Sequence, residues 1–438
     1  MSNIAVPDGT LAVAPAVSSG FRWGPLALCS ACLFVEGYDG QFMGYVVPGI
    51  AADWHIAPGA LGPAVGAALF GLMIGAFLIA PLADMAGRKR VIFWSVLIFG
   101  LLTVVTAAAT TLPQLVVLRF LTGLGLGGAM PNTIALTAEF SPPAKRATAV
   151  TVNFASFSIG AAVGGLITAK LMPVYGWGSL FLLCGGLALV LAPVLFFAMP
   201  ETYRPEKVVS PPVGELFRDG RSLVTLLLWF VFFMNLMELY FLTSWLPTTL
   251  NEQGIPIEWA VIATSLLQIG GVAGGLALGP LADRFGPQIV LGAAFATAAI
   301  CVALIGTAGS SLPVTLITST LVGIGTVGAQ NCNNGVAAKY YPAPVRATGV
   351  GWALAVGRVG SIVGGLAGGA LLKAQIDIRT LFLIAAVPPV CAALAYIGIG
   401  QQPSLKGSRS RAGQNRVESS APQQFLLRGQ EEREASIR

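Results

Sequence analysis

Long apolar runs, separated by short polar segments, follow one another along most of the chain. A helix needs roughly 20 apolar residues to cross a bilayer, and these runs reach that length. They lack the short alternation of apolar and polar positions that outer-membrane barrels show. The pattern predicts an all-α polytopic membrane protein with twelve transmembrane helices, at about residues 23–50, 61–83, 91–110, 113–138, 147–173, 178–199, 222–247, 259–282, 288–308, 312–338, 347–372 and 379–399.

Polar positions interrupt the first of these runs near its middle. Glu36 and Asp39 lie three residues apart, so both carboxylates point to the same side of a helix. An acid at the membrane centre costs on the order of 2.5–3.5 kcal/mol on insertion scales. We therefore expect the first helix to line a polar path.

Composition supports a membrane protein. The chain has 438 residues, of which 55% are hydrophobic and 10% charged, whereas soluble domains carry about 25% charged residues. The net charge of +6 does not require a nucleic-acid partner, because much of the excess lies after Gln401. His55 is the single histidine, so we expect no metal site and no catalytic triad. The pair Cys29 and Cys32 lies in a predicted membrane helix, which argues against a redox motif.

The basic residues of the short loops lie on one side of the predicted spans. The positive-inside rule makes that side cytoplasmic, and an even number of spans places both termini there. The first residues lack a basic n-region and a cleavage site, so we do not expect a signal peptide. The predicted organisation in the inner or plasma membrane is a cytoplasmic tail (1–22), two six-helix halves (23–200 and 222–400), a cytoplasmic central loop (201–221) and a disordered cytoplasmic tail (401–438).

The second half of the chain repeats the first. Asp84 ends the segment Ala-Pro-Leu-Ala-Asp, and Asp283, 199 residues later, ends Gly-Pro-Leu-Ala-Asp. Arg146-Ala-Thr recurs 200 residues later as Arg346-Ala-Thr, and several glycines recur at the same offset. These matches predict two homologous halves in parallel orientation. Such a pair places a substrate site between the halves near the midplane.

The charged positions break this repeat. At offsets of 199 or 200 residues, each half supplies one deep arginine and at least one deep acid, through the aligned pairs Arg119 and Ser319, Ser158 and Arg358, Asp39 and Glu238, and Glu36 and Asn235. Helix packing alone does not require these charges, so we expect a polar site near the middle of the membrane.

Two loops carry a family resemblance. The loop after the second span, Pro81-Leu-Ala-Asp-Met-Ala-Gly-Arg-Lys-Arg90, resembles the signature loop of the major facilitator superfamily, and 279–286 resembles its degenerate second copy. The segments 36–39, 119–132, 245–247 and 357–360 further resemble the aromatic acid:proton symporter branch. The resemblance implies a secondary active transporter, not an enzyme, that imports an aromatic carboxylate such as a hydroxybenzoate together with protons by alternating access. No cofactor is expected apart from the coupling proton.

Arginine can grip a carboxylate with two parallel hydrogen bonds, so Arg358 is our candidate for the substrate carboxylate; a structural ion pair is the alternative. For Arg119 the resemblance implies proton coupling, as a switching partner of Glu36 and Asp39. Asp39 is the first candidate for the coupled proton. Glu36 is the second, and the two can titrate as one unit. A purely structural network is the alternative for both acids.

Further candidates for the substrate site are aromatic side chains that can stack on a ring, and one acid on the seventh helix. Each aromatic residue can equally serve packing, whereas the charge of the acid requires water, a proton or a cation. These candidates are Glu238, Phe241, Trp245, Tyr38, Phe42, Phe157 and Trp352.

The signature loops predict a cytoplasmic gate made of short charged turns at helix ends. Its members are Asp84, Arg88, Glu139, Arg146, Asp283 and Arg284.

Other functions remain open from sequence alone. A transporter of this superfamily for another organic anion, or a drug exporter, is one alternative, and a membrane receptor for aromatic acids is another. The expected partners are a small aromatic carboxylate and membrane lipids, and we expect a monomer.

Overall fold

The computed structural model describes residues 21–142, 146–201, 213–218, 220–307, 311–341 and 345–401, and within these ranges the regular structure is helical. Twelve membrane-crossing helices follow one another along the described chain. They are α1 (Trp23–Asp53), α2 (Gly62–Leu78), α3 (Arg88–Thr106), α4 (Leu112–Glu139), α5 and α6 (together Arg146–Ala198), α7 (Ser222–Glu252), α8 (Ile257–Phe285), α9 (Pro287–Thr307), α10 (Leu312–Gly323, continuing to Tyr340), α11 (Arg346–Lys373) and α12 (Ile378–Ala385 and Val387–Gly400).

The predicted spans and the observed helices agree. α1, with 31 residues, is long enough to cross a membrane. Among the described residues, ten further helices are long and apolar enough by composition, and one of them, from Val152, has the length of two spans. It divides at Gly176, whose φ of 72° lies in the left-handed region that favours glycine, so α5 covers 146–175 and α6 covers 177–198. The prediction of an all-α polytopic fold is confirmed. Most of the two predicted tails and of the central loop lies outside the described residues.

The two halves are built alike. α1 packs on α5 through Gly160, where a Cβ would clash with the carbonyl oxygen of Phe34. α7 packs on α11 in the same way, because Gly360 lies against the carbonyl oxygen of Phe233. Close approach of backbones through small residues is the usual way in which membrane helices associate. The internal repeat therefore extends from the sequence to the helix contacts.

The signature loops also match in backbone conformation. Gly87 has a φ of 90° and Gly286, 199 residues later, a φ of 91°. A glycine is favoured at both positions, because a side chain raises the energy of a positive φ. Both glycines end one helical segment and allow the next helix to start at once.

The halves meet at the side of the molecule where α1 ends, which we call the closed side. Gly44 of α1 lies against the backbone of Thr243 and Ser244 in α7. At the start of α2, Gly62 lies against Gly369 of α11. The α5–α8 contact is equally close, with Gly165 against Ser265. Glycines thus form a tight seam between the halves.

Two local features modify the regular helices. α10 passes through a π-helical turn at Ile324–Gly328, a type of irregularity that is frequent at functional sites. At the start of α12, the Asp377 carboxylate accepts a hydrogen bond from the backbone N–H of Thr380 at 2.9 Å. This bond lowers the pKa of Asp377, because it stabilises the ionised form.

Gly44→Val tests the glycine seam. Overpacking costs about 1–3 kcal/mol, which corresponds to a shift of about 5- to 150-fold away from the state closed on this side. Spin labels at Ala57 and Ala374, exposed on the closed side of different halves, should report a longer distance in Gly44→Val. Gly186→Val is the matched control, because a Cβ at Gly186 meets no atom within 4 Å. An unchanged distance distribution in Gly44→Val would contradict the seam.

Candidate functional site

A buried ion pair lies in the centre of the first half. Nη1 of Arg119, from α4, is 3.4 Å from Oδ1 of Asp39, from α1, and both side chains are almost completely buried. Thr103 of α3 donates a second hydrogen bond to the same carboxylate oxygen at 3.2 Å. The structure therefore brings together two of the three residues predicted for proton coupling.

Neutral groups surround the Arg119 guanidinium. Its Nη2 donates to the hydroxyls of Thr103, Thr106 and Thr122 at 3.1–3.4 Å. The Phe181 ring of α6 lies 4.9 Å from the guanidinium carbon, in cation–π geometry. The Nε atom of Arg119 has no hydrogen-bond partner within the described ranges. Arg119 is thus anchored from three helices, and its one strong partner is the Asp39 carboxylate.

A small cavity adjoins this pair and reaches the seam. Its volume of about 20 Å³ has room for one water molecule. Asp39 and Arg119 line it from the first half, and Ser244 of α7 lines it from the second half. A movement of one half against the other therefore changes the surroundings of the ion pair directly.

Glu36 lies one turn before Asp39 and has different partners. Its Oε1 accepts a hydrogen bond from the Cys32 thiol at 3.2 Å, and Cys32 in turn accepts one from Thr133 at 3.5 Å. Thr133 lies one turn from Met130 on α4, and Met130 contacts Arg358 of the other half. The two carboxylates thus have separate partners, and the chain bonded to Glu36 reaches the part of α4 that Arg358 contacts.

Arg358 lies near the middle of α11 and is partly exposed. Its Nη1 donates to the Tyr240 hydroxyl of α7 at 3.1 Å, and its Nη2 is 3.3 Å from the Met130 sulfur of α4. No carboxylate of the described residues lies within salt-bridge distance of Arg358. The guanidinium bridges the two halves through neutral groups, so its charge is available to an anion.

Two of the predicted aromatic residues are fully buried in the packing between helices. Phe42 is buried in the first half, in edge contact with Tyr38 and Phe181. Trp245 is also fully buried; its Nε1 donates to the carbonyl of Gly365 at 2.8 Å.

The remaining aromatic candidates differ in exposure. Phe241 is buried, and Phe157 is partly exposed beside Gly40. Trp352 is 42% exposed and stacks on Trp229 near the start of α11, away from Arg358. Phe157 is therefore the predicted aromatic residue that is both partly exposed and near the middle of its helix.

Glu238 is buried in the second half. It is 1% exposed, and neither carboxylate oxygen has a hydrogen-bond partner in the described part of the chain. One turn away on the same face of α7, the Asn235 amide donates to Gln330 of α10 at 2.6 Å.

The predicted gate is described in part. Arg88 forms an ion pair with Glu139, at the ends of α3 and α4. The Arg284 guanidinium lies over the Phe285 ring at 5.1 Å. The side chains of Asp84 and Arg146 lie outside the described residues, and the pairing of Asp283 stays a prediction.

Comparisons with known proteins identify the family. The model of the Major Facilitator Superfamily matches residues 29–277 and 228–430. This chain belongs to the major facilitator superfamily. Members of this superfamily are transporters, so the expectation of a multi-pass membrane transporter rather than an enzyme is confirmed.

Relatives place the chain in the aromatic acid:proton symporter branch of the superfamily. The 4-hydroxybenzoate transporter PcaK of Pseudomonas aeruginosa is 37% identical, over 90% of this chain and 94% of the relative. The gallate transporter of Pseudomonas putida is 35% identical, over 87% and 92%. The 3-(3-hydroxy-phenyl)propionate transporter of Escherichia coli is 36% identical, over 82% and 89%.

Solved structures show the same fold. The crystal structure of a D-xylose-proton symporter superposes with a TM-score of 0.71 at 16% identity, over 86% of this chain and 97% of that one. A bacterial homologue of the lysosomal transporter Spinster, in an inward-facing and unoccupied conformation, superposes with a TM-score of 0.66 at 18% identity, over 86% and 96%.

Several residues of this transporter's site have no strong signal in the sequence. Tyr240 and Met130 contact Arg358 from different halves, and neither is part of a motif or a charged pattern. Thr122 is one turn from Arg119 and is visible in the sequence as a neighbour on the same helix face. Thr103 and Thr106, by contrast, reach Arg119 from another helix. Contacts between helices of this kind require the fold.

The ion pair predicts a characteristic mutational pattern. Arg119→Gln leaves the Asp39 charge buried without its partner, which costs about 3–5 kcal/mol of stability. The double substitution Asp39→Asn with Arg119→Gln removes both charges and should recover at least half of that loss. Unfolding in detergent measures these differences, with Arg90→Gln as the control because Arg90 is exposed. Additive effects of the two single substitutions would contradict a coupled pair.

Proposed function

We propose that this transporter imports an aromatic carboxylate of the hydroxybenzoate type together with protons. The observation that carries the proposal is the Arg358 guanidinium, partly exposed between the halves and in contact with neutral groups. A cation at membrane depth is costly without a counter-charge or water. A substrate carboxylate supplies that counter-charge.

The surroundings of Arg358 suit a carboxylate attached to a ring. Tyr240 orients the guanidinium from α7, while Met130 approaches it from the other half. A fixed guanidinium binds a carboxylate through two parallel hydrogen bonds. Methionine adapts to irregular apolar shapes and makes favourable contacts with aromatic rings. A ring next to the bound carboxylate is therefore favoured on the side of α4.

The relatives support the same class of substrate. Their names specify 4-hydroxybenzoate, gallate and 3-(3-hydroxy-phenyl)propionate as what they transport. All three compounds contain an aromatic ring, a carboxylate and a ring hydroxyl. This shared chemistry favours an aromatic carboxylate over a non-aromatic organic anion for the present chain.

Proton coupling is assigned to Glu36 because its hydrogen-bonded chain through Cys32 and Thr133 reaches the part of α4 that Arg358 also contacts. A cation favours the ionised form of a carboxyl group near it, so a substrate carboxylate that compensates the Arg358 charge removes that preference. Substrate binding therefore favours protonation of Glu36, and by linkage a protonated Glu36 favours substrate binding. Glu36 and the Asp39–Arg119 pair act as one titrating unit, which carries one proton and whose surroundings change when the halves move.

The positions of the basic loops indicate which side of the membrane this state opens to. Arg88, Lys89 and Arg90 lie opposite the closed side, and the positive-inside rule makes their side cytoplasmic. In this proposal the structure is closed to the outside, so bound substrate and protons leave toward the cytoplasm.

Arg358→Lys and Tyr240→Phe test the substrate site. Lysine keeps the charge but loses the planar fork, so affinity for 4-hydroxybenzoate should fall about 10- to 150-fold, which corresponds to about 1.5–3 kcal/mol. Tyr240→Phe keeps the Arg358 guanidinium but removes the hydroxyl to which it donates, so a smaller loss of affinity is expected. Isothermal titration on purified protein measures both affinities, with Arg90→Lys as the control. Wild-type affinity in Arg358→Lys would exclude the bidentate site.

Asp39→Asn tests the coupling unit. Asparagine keeps the shape of the side chain but does not titrate, so exchange of labelled 4-hydroxybenzoate across proteoliposomes should persist. Accumulation driven by an imposed pH gradient should be lost. If Asp39→Asn accumulates substrate as the wild type does, Asp39 has no part in coupling.

A further inference from the structure

The acid of the second half lacks the partner that its counterpart has in the first half. Glu238 aligns with Asp39 at the offset of 199 residues, and Ser319 aligns with Arg119 at 200. Ser319 is completely buried, and its hydroxyl, like both oxygens of Glu238, has no hydrogen-bond partner among the residues that the structure describes. The second half therefore keeps the acid of the repeat and replaces the arginine with a small neutral residue.

The surroundings of Glu238 are apolar. Leu239 and Leu242 of α7 belong to the same hydrophobic cluster as Val322 and Val327 of α10. No cation of the described residues lies within salt-bridge distance of the Glu238 carboxylate, and neither of its oxygens has a hydrogen-bond partner among them. An ionised carboxylate in such a place costs far more than a neutral one, so the group requires a proton.

The titratable groups on the neighbouring helices are engaged elsewhere. Arg358 of α11 donates to the hydroxyl of Tyr240, which lies two residues after Glu238 on α7. On α12, the Tyr396 hydroxyl donates to Asn333. On α1, Asp39 is paired with Arg119, and Glu36 accepts the bond from Cys32.

The charged groups on the other neighbouring helices lie at helix ends. On α8 these are Glu258 at its start and Asp283 and Arg284 at its end, and on α10 Lys339 lies in the last turn. The π-helical turn of α10 contains no titratable residue.

We propose that Glu238 is a second proton-binding site of the transport cycle, independent of the Asp39–Arg119 pair. In this state its carboxyl group carries the proton as a neutral acid. Release forms the carboxylate and transfers the proton to water that enters when the halves separate. The inference deepens the proposed function and rests on it.

A hydrogen-bonded amide pair lies on the cytoplasmic side of Glu238. Asn235 lies one turn from Glu238 on the same face of α7 and is hydrogen-bonded to Gln330. Gln330 is partly exposed, so this amide pair connects the buried face of α7 to a wetter region. The π-helical turn Ile324–Gly328 precedes Gln330 on α10 and is the irregular segment at which that helix can change its packing.

A second proton makes the cycle electrogenic. One carboxylate with one proton moves no net charge, whereas one carboxylate with two protons moves one positive charge. A potential of 100 mV is worth about 2.3 kcal/mol per charge, which corresponds to about 50-fold accumulation. Transport by the wild type should therefore respond to membrane potential when no pH gradient is present.

Glu238→Gln, with Glu258→Gln as the control, tests this site in proteoliposomes with labelled 4-hydroxybenzoate and an imposed potassium diffusion potential. Glu258 is an exposed acid at the outer end of α8. Glu238→Gln should lose the roughly 50-fold response to 100 mV and keep accumulation driven by a pH gradient. Glu258→Gln should match the wild type. A wild-type response to potential in Glu238→Gln, or electroneutral transport by the wild type, would overturn the proposal.

A spectroscopic measurement separates this proposal from the transport function. Infrared difference spectroscopy of the purified protein without substrate should show the carbonyl band of a neutral carboxylic acid at neutral pH. That band should disappear in Glu238→Gln and persist in Glu258→Gln. An undiminished band in Glu238→Gln would show that Glu238 does not carry the proton, even if the protein transports a different substrate.

Discussion

A charged side chain at the depth of the bilayer centre requires a counter-charge, a proton or water, and this constraint governs the site of the transporter. The described residues meet it in different ways. Asp39 is compensated by Arg119 and supported by Thr103. Arg358 is partly exposed and bonded to neutral groups, which leaves its charge for a ligand. Glu238 has no cation and no donor, which leaves a proton as its compensation.

The symmetry of the scaffold and the asymmetry of the charges serve different purposes. Glycines at equivalent positions bring α1 close to α5 and α7 close to α11, so both halves are rigid bundles of the same design. The seam between them is also formed by glycines, which allows the halves to approach closely and to separate again. Arg119 has no equivalent arginine in the second half, and Arg358 has none in the first. Each half therefore contributes a different arginine to a central site, and in the proposed cycle movement of the halves changes the surroundings of both.

Much of the fold could be predicted from the sequence, because the bilayer sets the length and apolarity of each helix. The helix ends at Trp23, Ser222 and Lys373 lie within one or two residues of the predicted spans. The break at Gly176 lies in the gap between the fifth and sixth predicted spans, whereas the π-helical turn of α10 could not be predicted, since hydropathy is insensitive to local backbone geometry.

The site was predictable to a smaller degree. Charges at membrane depth are conspicuous, so Asp39, Arg119, Arg358 and Glu238 stand out in the sequence. Their partners are ordinary residues brought close by folding, such as Thr103 and Tyr240. The spacing of Phe241 and Trp245 on one face of α7 suggests a shared role, but the structure places the Trp245 ring in the packing against α11. Periodicity identifies a face, and the fold determines whether that face meets a cavity or another helix.

The central claim is that the Arg358 charge is kept at membrane depth for a substrate carboxylate. Its most direct test is a double comparison of binding, with 4-hydroxybenzoate and its neutral analogue 4-hydroxybenzamide as ligands, and with the wild type and Arg358→Gln as proteins. Hydrogen bonds to a charged group are worth about 1.5–3 kcal/mol, so the wild type should prefer the carboxylate at least about tenfold. Arg358→Gln should bind the two ligands almost equally. The same preference for the carboxylate in both proteins would contradict the account.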